Sequence, residues 1–544
     1  MTKTVFYVKN KAMKEIKIPK EISEVAEKLQ AQGFQAYVVG GCARDLLLGI
    51  KPADWDITTD AKPEEIQKIF PDSFYANQFL TVTVRTDAED ETVKEVEITT
   101  FRAEGRYTDK RHPDEVRFAE TLEEDLSRRD FTINAIALEA TSDKRQATSN
   151  MSHVPCLMSL IDPFDGQADL EKKLIRAVGE AEKRFEEDAL RMLRAARFAS
   201  HFGFFIEEKT LEAIKNNAGW LQAISKERIR DEFIKIVASK NAKEGMELLR
   251  ETGILKHIVP ELLEGYGVGQ NKHHIYTVWE HNLRALEYGA SQNYPVDVRI
   301  AALFHDIGKP RAKRGEGPDS TFYGHDVVGG KMSFEILTRL RFPAKTAEKI
   351  AKLVRWHLFN YKLRRDAEEE IRKELGEKPN PLDPEEIELK GQNYTTDASI
   401  RRLIRNIGPE NMDDLVKVRI CDRIGSGVPK AVPYRLRHFQ YRVEKILREG
   451  EAVKVTMLKI NGDDLKKLLN LSQGPKIGHI LNALFEEALD DAAKNNREYL
   501  ELRAVKLNKL SEEELVEFRK KAQNKVELIE EKRDAEIKKR YWVK

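Results

Sequence analysis

Apolar and polar positions follow two rhythms along this chain. Between residues 20 and 140 the rhythm keeps changing: helical spacing over 20–33 gives way to short strand-like runs, YVV at 37–39, FLTVTVR and VKEVEITTF, separated by helical segments. This mixture predicts an α/β head. From 166 to about 265, in LRMLRAARFA and ERIRDEFIKIVA, apolar residues recur at helical spacing with no strand pattern, which predicts a neck of packed helices. A second helical block, from 272 to about 445, carries most of the histidines and is interrupted by RAKRGEGPDSTFYGHD and a charged linker near 365–390. The polar, aperiodic stretch 141–158, TSDKRQATSNMSHVPCLM, reads as a loop or a degenerate hairpin. The last hundred residues predict another helical unit, and the nearly all-charged end EEELVEFRKKAQNKVELIEEKRDAEIKKRYWVK reads as a solvated helix. The expected fold class is α+β, with domains at 20–140, 159–265, 266–445 and 446–544.

Residues 37–60 concentrate the first chemistry. A strand runs into Gly40-Gly41, and a helical segment from Ala43 to Leu48 follows. Glycines let the backbone approach an anion, and a helix start supplies N–H donors and a positive dipole end, so the turn suits phosphate. The chain then resumes as DWDIT, where Asp54 and Asp56, two apart on a strand, share a face. Paired carboxylates beside a phosphate cradle favour a hard divalent cation, Mg2+ by preference. Two-metal phosphoryl transfer needs a third carboxylate, and VKEVEITTF offers Glu97 or, by spacing alone, Glu95.

The chain has 544 residues, 34% of them charged, a formal net charge of +1 and a pI near 7.7. That balance is neutral about nucleic-acid partners, because a basic face can be offset by an acidic one. Cys42, Cys156 and Cys421 are scattered with no C-x-x-C pair, the usage of a reduced, cytoplasmic protein. No apolar run reaches spanning length and the N-terminus lacks the apolar core of a signal peptide, so no membrane partner is expected.

The pattern GG-x-x-RD-x-L-L-G followed by D-x-D resembles the polymerase β type of nucleotidyltransferase, in particular the class II tRNA CCA-adding enzymes and bacterial poly(A) polymerases. The resemblance implies a nucleotidyltransferase head, Gly40, Gly41 and Arg44 at the nucleotide, and Asp54, Asp56 and Glu97 as catalytic Mg2+ ligands. It also implies tRNA, CTP and ATP as partners. FRAEGRYTDKRHPDEV resembles the family's flexible loop. Arg128, Arg129, Asp130 and Asn134 in RRDFTIN match its second motif, which contacts triphosphate and ribose. Cytosine and adenine both present an exocyclic amine beside an unprotonated ring nitrogen, so a carboxylate that accepts and a guanidinium that donates select the pair against uracil and guanine. Asp188 and Arg191 carry those groups; on spacing alone they read as an i,i+3 helix salt bridge. EED-x-x-R resembles the family's nucleotide-selecting motif and assigns them to the base.

His281 in VWEHNL, His305-Asp306 in LFHDIGKP and Asp422 in RICDRIGS follow the order H, HD, D and resemble the HD phosphohydrolase superfamily. Adjacent His and Asp on a helix can reach one cation, and His325 and His357 are candidates for a second metal. The segment MLKINGDDLKKLLNLSQGPKIGHILNALFEEAL resembles the family's tRNA-binding tail. Leu80 departs from the family, which commonly has glycine there, and the 141–158 stretch is longer than usual. The expected function is addition of C, C and A to tRNA 3′ ends without a nucleic-acid template, with HD phosphohydrolase activity. FYANQFLTVTV stands where poly(A) relatives usually carry R-F-x-L-x-H-V, and partial CC-adders tend to lack the flexible loop, whereas an A-adding enzyme stays open. The rival from another class is an HD phosphohydrolase whose first half only binds RNA.

Overall fold

The computed structural model describes residues 18–543 apart from 77–80, 105–115, 142–156, 271–274, 364–393, 429–430, 451–457, 473 and 491–493. Most of the flexible loop, most of the 141–158 stretch, the charged linker, Leu80 and Cys156 therefore lie outside the described residues. Two compact units emerge: 1–355 with 417–428, and 356–416 with 429–544.

The first unit begins with a helix, Lys20–Ala31, whose Ile22, Val25, Ala26 and Leu29 are buried at helical spacing. Burying side chains such as Ile22 and Leu29 contributes about 1.5–3 kcal/mol each. They pack on a mixed sheet built from β1 (Ala36–Val39), β2 (Asp56–Thr59), β3 (Ser73–Ala76), β4 (Thr81–Arg85), β5 (Glu95–Thr100), β8 (Ala137–Thr141) and β9 (Leu157–Ile161), in the order β3-β4-β5-β2-β1-β8-β9. A separate hairpin joins β6 (Arg102–Glu104) to β7 (Val116–Phe118). All four residues of β1 are buried, as its uninterrupted apolar run requires of a central strand. In β5, Val96 and Ile98 point into the core while Glu95 and Glu97 face solvent. Only β2 and β5 pair in parallel in this sheet, and their register sets Asp56 against Glu97.

Helices follow, including Ala181–Glu187, Leu190–Phe202, Lys226–Ala238 and Ala242–Glu251. The expectation of no strand here fails in one detail: Leu174–Ile175 and Phe205–Ile206 pair as a short parallel ribbon. Two-residue strands leave too short a repeat to read against helical neighbours. The histidine-bearing helices of this unit are Val278–Ser291, Val296–Phe304 and His325–Arg339.

The second unit is helical, with one core around Leu465, Ile480, Leu484, Leu500, Leu507 and Leu515. Its last helix, Glu512–Tyr541, is not solvated along its whole length: Ile537, Tyr541 and Val543 pack with Tyr441, whose hydroxyl donates to Asp534 Oδ1 at 2.6 Å. Among the described residues no helix is long and apolar enough to cross a membrane.

Candidate active sites of the head and the histidine block

Gly40 makes the turn after β1 possible. Its φ is +76°, and a Cβ there would stand 2.8 Å from Arg129 Nη1 and 3.4 Å from Asp56 Oδ2, so both backbone conformation and space select glycine. The turn is tied to β2 through Cys42, whose Sγ lies 3.0 Å from Val39 O and accepts from Asp56 N at 3.4 Å. Burial, with Asp56 nearby, pushes the Cys42 thiol up to about 12, and Cys421 is also a buried free thiol.

β2 starts at Asp56, so Asp54 sits in the bend before the strand rather than on it. The alternation survives, because Trp55 is buried between an exposed Asp54 and a partly exposed Asp56. The register decides between the two glutamates: Glu97 N donates to Trp55 O at 3.0 Å and Glu97 pairs with Asp56, whereas Glu95 lies one repeat away with Arg85 Nε at 3.5 Å. Burial raises the Asp56 carboxyl to about 6, with Asp54 and Glu97 adding to the rise and Arg129 opposing it. Asp54 and Glu97 disfavour the charge on Asp56, and together the three carboxylates supply the hard oxygen donors that a divalent cation takes.

The RRDFTIN segment turns partly inward. Asp130 is buried; its Oδ1 accepts from Asn134 Nδ2 at 3.0 Å and its Oδ2 from Arg194 Nε at 2.7 Å. Burial opposes its charge, but Arg194, Asn134 and Arg191 outweigh it and hold the carboxyl down at about 2. Asn134 Oδ1 in turn accepts from Arg44 Nη1 at 2.7 Å. Arg44 lies over the Phe202 ring, 4.7 Å from its centroid, bracing the glycine turn against the Leu190–Phe202 helix.

Asp188 and Arg191 are not a helix salt bridge. Asp188 has extended backbone between the two helices, φ −143° and ψ 103°, and its Oδ2 accepts from Arg228 Nη2 at 2.6 Å. Arg191 starts the next helix; it pairs with Glu187 at 2.5 Å, and its Nη2 donates to Arg128 O at 2.9 Å. Each is therefore held by its own partner, as two independently aimed groups must be. Arg228, Glu187 and Arg194 were missed from sequence; ERIRDEF, two turns of alternating charge and apolar residues opposite this motif, was the available signal.

In the histidine block, His305 is the residue capping the Val296–Phe304 helix and Asp306 follows in the turn, so the doublet is not within a helix as expected. His281, His305, Asp306, His325 and Asp422 are nonetheless brought together and buried. His281 Nε2 lies 2.8 Å from His305 Nε2, 3.2 Å from Asp306 Oδ2 and 3.3 Å from Asp422 Oδ1, while His325 Nε2 is 3.2 Å from Asp306 Oδ1. His305 Nδ1 and His325 Nδ1 face the carbonyls of Ala302 and Phe322 at 2.7 and 2.6 Å. A carbonyl only accepts, so those nitrogens carry protons and both rings turn Nε2 toward the carboxylate of Asp306. Burial lowers the proton affinity of His305, yet the carboxylates of Asp306 and Asp422 outweigh it and hold the ring near 10. The cluster attracts positive charge, and its donors fit a divalent metal. Lys309 Nζ pairs with Asp306 Oδ2 at 2.6 Å and donates to Gln270, a neighbour that the K of HDIGK, one turn after Asp306, could have announced. His357 is buried in the second unit.

Comparison with known proteins finds domain matches over both regions. Residues 36–176 match the Poly A polymerase head domain, 203–265 the probable RNA and SrmB-binding site of polymerase A, and 274–391 the HD domain. The CCA-adding enzyme of Lactobacillus delbrueckii subsp. bulgaricus is 46% identical over 231 residues, covering 42% of this chain and 53% of that protein. That of Enterococcus faecalis is 44% identical over 256 residues, covering 46% and 58%. The chain thus spans about half the length of these curated relatives. The crystal structure of the Bacillus stearothermophilus CCA-adding enzyme in complex with CTP aligns over 90% of this chain and 97% of its own, with 26% identity and a TM-score of 0.51. Nucleotidyltransferase and HD domains typically use divalent metals, and the His281, His305 and Asp306 group could hold one. The chain is thus similar, part by part, to a Poly A polymerase head domain, an RNA-binding segment and an HD domain, and over about half of their length to CCA-adding enzymes.

Proposed function

We propose that this chain adds C, C and A to the 3′ ends of tRNA from CTP and ATP, without a nucleic-acid template and in the cytoplasm. The observation that carries the reading is the register pairing of Asp56 with Glu97, with Asp56 and Arg129 both against Gly40 and Asp54 near enough to act on Asp56. Asp54, Asp56 and Glu97 would hold Mg2+, which would supply positive charge for the 3′ hydroxyl and the leaving pyrophosphate. Gly40, Gly41, Arg128 and Arg129 receive the triphosphate. Asp130 and Asn134 hold the turn and neck together near the sugar. Asp188 accepts from the exocyclic amine of C or A and Arg191 donates to the neighbouring ring nitrogen, each fixed by its own partner. Residues 20–140 act as head, 159–265 as the selecting neck, 266–445 as the HD domain and 446–544 as the tRNA-binding tail.

The relatives' names support CCA addition over the A-only and poly(A) alternatives. Incorporation on tRNA ending before CCA, with CTP alone, ATP alone and both, tests this: CTP alone should add two residues and the mixture three. Addition of A alone, or of long A tracts, would replace the reading.

The buried histidine cluster favours a second activity, hydrolysis of phosphomonoesters or cyclic phosphodiesters with a divalent metal held by His281, His305, Asp306 and Asp422. His325 and His357 are proposed as ligands of a further metal. Hydrolysis assays across several metals, with and without tRNA substrates, test it.

A further inference from the structure

The carboxylate of Asp125 is fully buried in the head, yet it belongs to none of the motifs assigned above. It lies on the Leu122–Ser127 helix, which Thr121 caps by accepting from Glu124 N. Its Oδ1 accepts from Arg128 Nε at 3.1 Å, from Arg128 Nη2 at 2.9 Å and from the backbone N of Arg102 at 3.4 Å. Its Oδ2 accepts from Arg129 Nη2 at 3.3 Å and from Thr58 Oγ1 at 3.5 Å. One carboxylate therefore touches both arginines, the first residue of β6 and a residue two places beyond Asp56 on the same face of β2. Burial works against its charge, and Arg128 and Arg129 outweigh that cost, so it stays ionised.

Its partners reach the rest of the site. Arg129 Nη1 lies over Gly40 beside Asp56, and Arg128 O accepts from Arg191. Without a negative charge at 125, Asp56, which already feels Arg129 across Gly40, is left to attract it, and a guanidinium drawn onto Asp56 competes there with a cation.

We propose that Asp125 is a positioning residue for nucleotide transfer: it holds Arg129 off Asp56 and aims it across Gly40 at the triphosphate, while locking Arg128, and through its carbonyl Arg191, in register with β2. The inference rests on reading the head as a nucleotidyltransferase.

The test measures CTP binding by calorimetry in Mg2+, without tRNA, alongside melting temperature and tRNA extension. Asp125→Asn should weaken CTP on the order of tenfold and raise the Mg2+ needed for half-maximal binding severalfold. Combining it with Arg129→Ala should leave CTP binding no weaker than Arg129→Ala alone and return the Mg2+ requirement to wild type, a reversal that loss of fold stability cannot produce. Arg129→Lys, which keeps the charge but loses the fork, should weaken CTP with Asp125 intact, and it decides the matter if Asp125→Asn does not fold. Multiplicative effects in the double variant, an unmoved Mg2+ requirement, or wild-type binding by Arg129→Lys would overturn the proposal. A wild-type protein that binds CTP yet extends no tRNA removes the tRNA reading and leaves Asp125 to be judged on binding, whereas one that binds no CTP removes both.

Discussion

The two candidate metal centres solve the same problem in opposite surroundings. In the head, Asp54 in the bend before β2 and Glu97 on β5 are exposed, and Asp56, paired with Glu97, is only partly exposed. In the histidine block the Nε2 atoms and carboxylates meet in a buried cluster. Exposed carboxylates tolerate an empty site because solvent screens their repulsion, whereas a buried donor set must hold protons or a cation at all times. On the proposed reading, the head would take a cation that comes and goes with its nucleotide and the block one that stays.

The largest effect should come from the head. Asp54→Ala or Asp56→Ala should reduce nucleotide addition on the order of a thousandfold or more and leave tRNA affinity nearly unchanged, because RNA affinity comes mainly from phosphate contacts elsewhere. Turnover near wild type in both variants, measured on the same tRNA, would remove the site assignment.

Next in size is the response of the block to its metal. Stripping metal with a chelator should lower the melting temperature, and adding it back should restore several degrees. His305→Ala with Asp306→Ala should abolish that metal response and any phosphohydrolase activity while sparing nucleotide addition. A melting curve indifferent to chelator and to added metal would make the block a scaffold.

Base selection should move less. Arg191→Ala should slow CTP and ATP incorporation roughly tenfold to a hundredfold and blur discrimination against UTP and GTP. The structure also changes which experiment informs: exchanging the pair, Asp188→Arg with Arg191→Asp, would place a guanidinium against Arg228 and a carboxylate against Glu187. Such like-charge contacts distort the site, so UTP or GTP gains on CTP and ATP only if the partners are exchanged too. Full rate and discrimination in Arg191→Ala would mean that the base is read elsewhere.

The smallest effect concerns pH. The folded Asp56 carboxyl sits near 6, above its ordinary value of 3.8, so the metal-free fold loses stability as pH rises from about 4 through 6 and is best below that window. Asp56→Asn removes the charge; without metal it should melt above wild type at pH 8 and close to it at pH 4. Mg2+ binding should strengthen with pH up to about 6 and then level off, since binding displaces the Asp56 proton. A difference in melting temperature independent of pH would show that Asp56 is not what titrates.

Chain-local information carried much of this protein. The glycine turn, the alternation around Trp55, the order of histidine and aspartate, and the change from mixed to helical rhythm are all patterns within a few residues, and the head, the helical remainder and both clusters followed from them. What sequence left undecided was always a matter of register or of a partner far along the chain. Glu95 and Glu97 are equivalent by alternation, and only the parallel pairing of β2 with β5 sets Glu97 against Asp56. Asp188 and Arg191 look like a helical pair until Arg228, 40 residues on, takes one and Glu187 the other. Asp125 reads as one acid in an acidic helix, and its importance arises because folding buries it among Arg128, Arg129 and β2. Local pattern determines which face a residue presents; which charge it meets there depends on strand register and helix packing, and burial is what makes that meeting count.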